Sequence, residues 1–329
     1  MIISRTPFRI SFFGGGTDYP VWFSENGGAV LAATINKHCY ISCRYLPPFF
    51  NHKSRIVWSM IELVKDVPEI KHPAVRETLA HMGITEGVEL HHDGDLPARA
   101  GLGSSSAFTV GLLHALYGMK GMMPTKMQLA LGAIHIEQKR LKENVGSQDQ
   151  VMAAFGGFNR VSFSGEDDFQ VSPIILRPER LAKLQDHLML FFTGFARTAS
   201  DIAGEQIRVA RQKHIELSEM QQMVDEAISI LNGKGSLAAF GKLLHESWLL
   251  KKSLTDKIST PFIDGIYDRA RKSGSIGGKL LGAGGGGFLL LFVEPANQRK
   301  VEKALGDLLQ VPFKFETHGS QIIFNEPNF

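Results

Sequence analysis

The chain has 329 residues, of which 43% are hydrophobic and 21% are charged, and its formal net charge is +3. This length allows one large domain or two ordinary ones, and the charge is too small to require nucleic acid or a membrane surface as partner. A local basic cluster could still bind an anionic substrate. No charged stretch followed by an apolar core opens the chain, so we expect no signal peptide and a cytoplasmic protein.

The first half of the chain predicts a mixture of strands and helices. Runs rich in β-branched or aromatic residues predict strands at 2–12, 29–45, 88–92 and 158–163. Apolar spacing and punctuation by Pro or Gly predict helices at 74–81, directly after Gly103, at 125–142 and at 148–155. The stretch between the second and third strands contains four prolines and is otherwise irregular.

The second half follows a polar turn, Ser164 to Asp168, which is the candidate boundary between domains 1–170 and 171–329. The predicted strands beyond it are 188–193, 287–292 and 313–317. The predicted helices are 200–231, 236–254, one that begins after Ser259 or Thr260 and ends before Gly274, and 298–309. Because strands and helices do not alternate regularly, the fold class is α+β rather than a single parallel sheet.

Both cysteines, Cys39 and Cys43, fall in the strand predicted at 29–45. Four strand residues separate their Cα atoms by about 13 Å, whereas a disulfide requires less than about 7 Å. We therefore expect two free, buried thiols on one strand face, which is consistent with a reducing compartment.

A Gly/Ser-rich loop from Pro97 to Ala107 joins a strand to a strongly apolar helix. Glycines let a ligand approach the backbone, and a helix start offers unpaired N–H groups and a positive dipole end, so the loop could bind an anion. Its three serine hydroxyls could also reach a metal bound to phosphates. A serine N-cap after a flexible lead-in explains the loop equally well, and no Lys follows Gly103 as the Gly-x4-Gly-Lys-Ser/Thr phosphate loop requires.

A second glycine-rich loop, Gly282 to Gly287, formally satisfies the dinucleotide pattern Gly-x-Gly-x-x-Gly. That pattern requires a following helix, but Phe288 to Val293 predicts a strand, which argues against an NAD-dependent enzyme. Four consecutive glycines carry a conformational entropy penalty that a simple turn does not need. The loop is therefore predicted to be a turn between strands that lies close to something large.

A third glycine turn, Gly14 to Gly16, is followed by Thr17 and Asp18. This arrangement can present a hydroxyl and a carboxylate to sugar hydroxyls. Local Asx-turn chemistry is the alternative explanation.

Together, three segments resemble motifs of the GHMP kinase superfamily and occur in the family's order: Pro7 to Phe12 with the glycine turn, Pro97 to Ala107, and Lys279 to Gly287. The resemblance implies an N-terminal α+β domain with a left-handed β-α-β feature and a C-terminal ferredoxin-like domain. It also implies that ATP, Mg²⁺ and an acceptor alcohol meet between the two domains.

The resemblance implies roles for individual residues. Asp149 matches the catalytic aspartate, which accepts or orients the proton of the attacking hydroxyl, and Arg9 matches the active-site arginine, which stabilises that carboxylate and the transferring group. Glu137 matches the magnesium-binding glutamate, with Ser105 as its partner and Ser104 as the neighbouring candidate. Taken alone, Glu137 would be a solvated helix charge and Asp149 a favourable charge at a helix start. The expected nucleotide contacts are Pro97, Gly101, Leu102, Gly103, Ser104, Ser105 and Ser106.

Within the superfamily, segments 12–20, 71–77 and 192–200 resemble the bacterial D-glycero-D-manno-heptose 7-phosphate kinases. The resemblance implies transfer to the anomeric oxygen of a sugar phosphate. Arg197 would clamp the phosphate already present, although a surface arginine at a helix entry is the other interpretation. The remaining expected substrate contacts are Gly15, Gly16, Thr17, Asp18, Gly284 and Gly285.

Two alternatives stay open. One is another anomeric sugar kinase of the superfamily, for L-fucose or an N-acetylhexosamine; galactose is disfavoured because galactokinase-like members carry Gly-Glu-His where this chain has three glycines. The other is a sugar and ATP sensor without catalysis, which the presence of Glu137 and Asp149 opposes. Trp58 could stack on adenine or pack in the core. The expected partners are ATP and a small sugar phosphate, without nucleic acid or a membrane, and a homodimer is left open.

Overall fold

The computed structural model describes residues 1–98, 100–194 and 199–326. These residues form an α+β fold with two sheets, which confirms the fold class. The first sheet is built mainly by the N-terminal half of the chain, and the second entirely by the C-terminal half.

The first sheet is organised around one long strand, β2. Its strands are β1 (Ile2–Phe13), β2 (Gly28–Tyr45), β3 (Ser54–Val57), β4 (Ile61–Val64), β5 (Val88–Gly94), β6 (Phe158–Gly165), β7 (Asp168–Pro173) and β12 (Gln321–Asn325). The first part of β2 pairs with β6, the second part pairs with β5, and β1 runs antiparallel along most of its length. β12 pairs with the other edge of β1.

The second sheet is antiparallel and has the order β11-β8-β10-β9. Its strands are β8 (Leu188–Phe192), β9 (Ser275–Leu280), β10 (Phe288–Val293) and β11 (Leu309–Gln310). Every residue of β10 is buried, which is why this segment reads as a continuous apolar run.

Helices cover both sheets. They are α1 (Pro20–Asn26), α2 (Pro73–His81), α3 (Ser104–Met119), α4 (Lys126–Ile134), α5 (Gln148–Phe155), α6 (Pro178–Asp186), α7 (Ala199–Val209), α8 (His214–Asn232), α9 (Ala238–Leu254), α10 (Pro261–Lys272) and α11 (Pro295–Ala304). α3 packs on β1 and β2 and is also covered by α4 and α5, so it is apolar on nearly all sides. α9 packs against β9 and joins the second sheet to the first.

Several predicted elements differ from those observed. The helix predicted at 200–231 is two helices, α7 and α8, separated by a turn that no Gly or Pro marks. The segment 313–317 is not a strand: it makes one isolated bridge, between Phe315 and Ile35, and the last strand is β12 instead. The helix predicted at 298–309 occupies Pro295–Ala304, and the irregular stretch after β2 contains the short hairpin of β3 and β4.

The polar turn at 164–168 connects β6 and β7, which pair with each other in the first sheet. The chain therefore leaves this sheet only after Pro173, and it returns to it with β12. The division into domains 1–170 and 171–329 stays a prediction.

Cys39 and Cys43 are free and buried in β2, as predicted. Burial raises the pKa of the Cys43 thiol to about 12, so the thiol stays protonated at neutral pH. Among the described residues, no helix combines the length and the apolar character that a membrane crossing requires.

Candidate active site

A cleft of about 460 Å³ lies where the first sheet, the helices on it and the second sheet meet. Of the residues singled out from the sequence, it is lined by Arg9, Gly15, Gly16, Asp18, Gly101, Gly103, Ser104, Ser105 and Asp149. These residues come from β1, the turn after it, the loop before α3, the first turn of α3 and the first turn of α5. The cleft is also lined by Lys251 of α9 and Lys279 of β9.

The loop before α3 brings backbone to the cleft. Gly101 and Gly103 adopt φ angles of 84° and 72°, which other residues rarely tolerate. A Cβ atom on Gly103 would lie 3.3 Å from both Arg9 and Asp149, so glycine also provides space there. Gly103 is the N-cap of α3, and no acidic residue occupies the first turn of this helix, so its positive end is available to an anion.

Arg9 and Asp149 form a bidentate ion pair at the cleft. Arg9 Nε and Nη2 donate to Asp149 Oδ1 and Oδ2 at 2.6 and 2.7 Å, and Arg9 Nη1 donates to the Gly101 carbonyl at 2.8 Å. Arg9 is buried, whereas a quarter of the Asp149 side chain is exposed. The pair therefore fixes a carboxylate at the surface of the cleft beside the glycine loop.

Asp18 is held inside the turn after β1. Its Oδ1 accepts from the Gly16 N–H at 2.9 Å, and its Oδ2 accepts from Gln148 Nε2 at 3.0 Å. Burial, as the largest cause, raises the pKa of Asp18. Thr17 does not line the cleft: its hydroxyl donates to the carbonyls of Gly14 and Ala29, so it stabilises the turn rather than facing a ligand.

Glu137 lies behind the start of α3, fully buried and outside the lining of the cleft. Its Oε2 accepts from Ser106 Oγ at 2.8 Å and from Gln150 Nε2 at 2.5 Å. The structure thus brings Ser106, rather than Ser105, to this carboxyl group. Burial raises the pKa of Glu137 to about 7.

The two glycine-rich loops touch each other. The loop between β9 and β10 is a turn between antiparallel strands, as predicted. A Cβ atom on Gly282 would lie 2.4 Å from Gly101 Cα, and the Phe288 N–H donates to the Ala100 carbonyl at 3.2 Å. Gly282 reaches the cleft, but Gly284 and Gly285 pack against Ile258 and do not line it.

The remaining predicted residues lie elsewhere. Leu102 is buried and its carbonyl accepts from the Arg9 N–H at 3.0 Å, while Pro97 does not line the cleft. Arg197 falls outside the described residues. Trp58 donates to Glu62 at 2.9 Å and meets His72 edge-on, as a packed side chain does.

Sequence reasoning missed polar residues on this cleft, among them Asn144, Gln148, Gln206, Lys251 and Lys279. Lys279 stands in one of the three motifs but was given no function. Lys251 is followed by Lys252 at the end of a helix, where paired lysines are usually solvated. Their burial was the missing signal, and no pattern in the sequence shows it.

Comparison with known proteins places the chain in a family. The model of the GHMP kinase N-terminal domain matches residues 63–157, and that of the GHMP kinase C-terminal domain matches residues 216–310. The chain belongs to the GHMP kinase superfamily. It is accordingly an ATP-dependent phosphotransferase that acts on an alcohol group, and within the superfamily it is a sugar kinase.

Individual relatives are distant, and the similarity extends over nearly all of this chain. A D-glycero-alpha-D-manno-heptose 7-phosphate kinase of Campylobacter jejuni is 27% identical, with 92% of this chain and 93% of that protein covered. An L-fucokinase/L-fucose-1-P guanylyltransferase of Bacteroides fragilis is 26% identical, with 93% of this chain but 36% of the longer protein covered. The crystal structure of a D-glycero-D-manno-heptose 1-phosphate kinase from Bacteroides thetaiotaomicron has a TM-score of 0.77 at 24% identity, covering 97% and 98% of the two chains, and supports the two-domain GHMP kinase fold.

Proposed function

We propose that this kinase transfers the γ-phosphoryl group of ATP to the anomeric hydroxyl of a sugar phosphate, D-glycero-D-manno-heptose 7-phosphate, to give the 1,7-bisphosphate. The observation that carries the proposal is the Asp149 carboxylate, fixed by Arg9 on the same cleft as the backbone of Gly101 to Ser105. The similarity to the heptose 7-phosphate kinase of C. jejuni supports this acceptor.

The reaction follows from this geometry. The acceptor hydroxyl attacks the γ-phosphorus, the new O–P bond forms as the bond to the β-phosphate oxygen breaks, and ADP leaves with the bonding electrons. Asp149 takes the hydroxyl proton or orients the hydroxyl; each of its oxygens keeps a lone pair beyond its bond to Arg9. Backbone N–H groups at the start of α3 bind the phosphates, and positioning and charge stabilisation supply most of the catalysis.

The residues near α3 fit a magnesium ion shared with the nucleotide phosphates. Glu137 Oε1 is buried and has no hydrogen-bond partner among the described residues, while Ser105 is on the cleft and Ser106 already contacts Glu137. Mg²⁺ prefers such oxygen ligands, with one or two carboxylates completed by phosphates and water. When bound, the ion neutralises charge on the β- and γ-phosphates. We propose Ser105 and Glu137 as the residues that hold it.

The proposal is tested by a coupled ADP-release assay over heptose 7-phosphate, free heptose, L-fucose and N-acetylhexosamines, with the new phosphate located by NMR. We expect heptose 7-phosphate to have the highest kcat/KM and to be phosphorylated at C1. The resemblance assigns the existing phosphate to Arg197, so Arg197→Ala should raise the KM for heptose 7-phosphate and leave the KM for unphosphorylated sugars unchanged. A higher kcat/KM for L-fucose would contradict the proposal and favour the fucose kinase alternative, which the B. fragilis relative supports.

The catalytic assignment is tested separately by Asp149→Asn. The amide cannot accept the proton and pairs less well with Arg9, so kcat should fall by about 10²–10⁴-fold. Asp225→Asn is the matched control, because Asp225 is two-thirds exposed and does not line the cleft. Near-normal ADP release by the Asp149 variant would remove the proposed base.

A further inference from the structure

Two lysine side chains, Lys251 and Lys279, are buried in the wall of the cleft, with 5% and 2% of their surface exposed. Each ammonium group donates to a backbone carbonyl: Lys251 Nζ to Gly282, and Lys279 Nζ to Phe12 at 2.9 Å. Within the part of the chain that the structure describes, neither forms an ion pair with a carboxylate. A buried cation with only neutral partners is unfavourable, so its presence in a cleft indicates a functional use of the charge.

Lys251 lies at the contact between the two glycine-rich loops. The carbonyl that it binds belongs to Gly282, where a Cβ atom would lie 2.4 Å from Gly101 Cα. A Cβ atom on Gly101 would in turn lie 2.4 Å from the Leu281 carbonyl oxygen. Arg9 Nη1 binds the carbonyl of that same Gly101. Lys251 from α9 and Arg9 from β1 therefore both bind backbone carbonyls at the contact between the two loops.

We propose that Lys251 is a second cationic catalytic residue, which donates a hydrogen bond to the phosphoryl group during its transfer. The positive charge of Arg9 is already offset by Asp149, with which it makes two hydrogen bonds. The transferring phosphoryl group carries negative charge on three equatorial oxygens, and a preorganised cation in a water-poor site stabilises such charge strongly. The proposal rests on the kinase activity and not on the identity of the sugar.

Lys279 is the supporting member of the pair. Its ammonium group is deeper, and its pKa is lowered well below the ordinary value by burial and then by the charges of Lys251 and Arg9. The bond from Lys279 to Phe12 ties β9 to the end of β1.

The pKa of Lys251 is lowered to about 8, mainly by burial and then by the charge of Arg9, while the charge of Asp18 opposes the shift. The charged or titratable groups on the cleft around it are Arg9, Asp18, Tyr19, Glu143, Asp149 and Lys279. If the protonated form is required, kcat/KM for ATP should decline as the pH rises through about 8, because Lys251 of the free enzyme then loses its charge.

The test compares Lys251→Met, Lys251→Arg and the control Lys252→Met by steady-state kinetics between pH 6 and 10. The neighbouring Lys252 pairs with Asp264 and does not line the cleft. We expect Lys251→Met to lower kcat by about 100-fold or more and to lose the alkaline decline, since one preorganised donor is worth about 10²–10³ in kcat. Lys251→Arg should retain more activity and move the decline to higher pH, because a guanidinium group does not deprotonate there. Lys252→Met should keep the wild-type profile.

Each other outcome overturns the proposal. A kcat of Lys251→Met within threefold of the wild-type value would show that the ammonium group does not act on the transferring group. A higher KM for phosphorylated acceptors alone, with kcat unchanged, would assign Lys251 to the phosphate that the acceptor already carries. Thermal unfolding separates these results from misfolding: methionine replaces a buried unpaired charge by an apolar chain of similar length, so the melting temperature should not fall. If heptose 7-phosphate proves not to be the acceptor, the same comparison is made with the sugar that the substrate panel identifies.

Discussion

Basic side chains on the cleft are held in place by hydrogen bonds to backbone carbonyls. Arg9, Lys251 and Lys279 each donate to one carbonyl, at Gly101, Gly282 and Phe12 respectively. These bonds fix three basic side chains before any ligand arrives, so little reorganisation is needed when negative charge develops during phosphoryl transfer.

Asp18 leads to a prediction that separates stability from sugar binding. In Asp18→Asn, Oδ1 can still accept from Gly16, and Gln148 can rotate so that its Oε1, which has no partner among the described residues, accepts from the new amide. The fold should therefore be retained, while the KM for the acceptor should rise about tenfold if Asp18 binds the sugar as the resemblance implies, because a charged hydrogen-bond acceptor is lost. Steady-state kinetics and thermal unfolding measure the two effects.

The pH dependence of the same variant is fixed in sign. Because the pKa of Asp18 is raised in the folded state, the folded wild-type protein binds more protons than the unfolded chain, and its stability falls as pH rises from about 4 through the raised value. Asp18→Asn lacks this loss. Its melting temperature relative to wild type should thus increase from pH 4 to pH 8, and a constant difference would contradict the assignment.

The motifs in the sequence identified residues of the site, but they did not show which side chains on the cleft are buried. One cleft is lined by Arg9, Asp18, Gly101, Gly103 and Asp149. Arg9 and Asp149, which are hydrogen-bonded there, are 140 positions apart in the sequence. The motifs did not predict which groups face the cleft. The hydroxyl of Thr17 donates to backbone carbonyls of Gly14 and Ala29, and the glycines at 284 and 285 pack against Ile258. Carbonyl partners such as that of Lys251 leave no signature in the sequence at all.

Two glycine-rich loops meet between the two sheets at the site. The loop before α3 and the β9–β10 turn approach each other at Gly101 and Gly282, with backbone against backbone. This contact explains a run of glycines that a simple turn would not require. The sequence predicted a turn close to a large neighbour, and that neighbour is the other glycine-rich loop.

Gly282→Ala tests this contact. The new Cβ would lie 2.4 Å from Gly101 Cα, and alanine is strained at the observed φ of 76°, so the loops must separate. We expect kcat/KM for ATP to fall at least about tenfold, because a small displacement of phosphate-binding backbone is costly for catalysis. The measurement is ADP release at varied ATP concentration.

The matched control is Gly265→Ala in α10, where a Cβ would meet nothing within 4 Å. Alanine favours a helix over glycine by about 1 kcal/mol, so this variant should be slightly more stable and fully active. Equal kinetics for the two alanine variants would mean that the contact between the loops does not position the phosphate-binding backbone.

Elements with strong local signals were predicted well, and those fixed by distant contacts were not. Thr260, one of the two residues predicted as N-cap, caps α10 and accepts from the Ile263 N–H, and α5 has the predicted bounds. The break between α7 and α8 has no Gly or Pro, and Leu217 after it is buried in the cluster that also contains Trp22 of α1. Packing between remote segments decides that break, and a helical repeat in the sequence continues through it.

The C-terminal segment of the chain links the two halves of the molecule. After the second sheet is complete, the chain crosses back and adds β12 to the edge of β1, and Thr6 and His114 both contact Ser320 on the way. The segment predicted as a strand, 313–317, has the alternation of one but supplies Phe315 to the core of the first sheet instead. The first sheet therefore depends on residues more than 300 positions from its first strand.

Phe315→Ala measures this dependence. The Phe315 ring stacks on Phe158 at 5.7 Å and meets Phe12 at 6.3 Å, and Phe12 also offers its carbonyl to Lys279 of the second sheet. Removing the ring should lower the free energy of unfolding by about 3 kcal/mol, the lower end for such a truncation because Phe315 is half-buried. Urea unfolding gives this difference directly through the shift in midpoint at constant slope.

Phe324→Ala, in β12, is the control in the same C-terminal segment, since Phe324 is 40% exposed and should contribute less than about 1 kcal/mol. If residues 313–326 merely covered the surface, the two variants would lose similar, small amounts. If they complete the first sheet, only the Phe315 variant is strongly destabilised. If the bond between Phe12 and Lys279 positions the wall of the cleft, that variant should also lose kcat at a temperature where most of the protein is still folded.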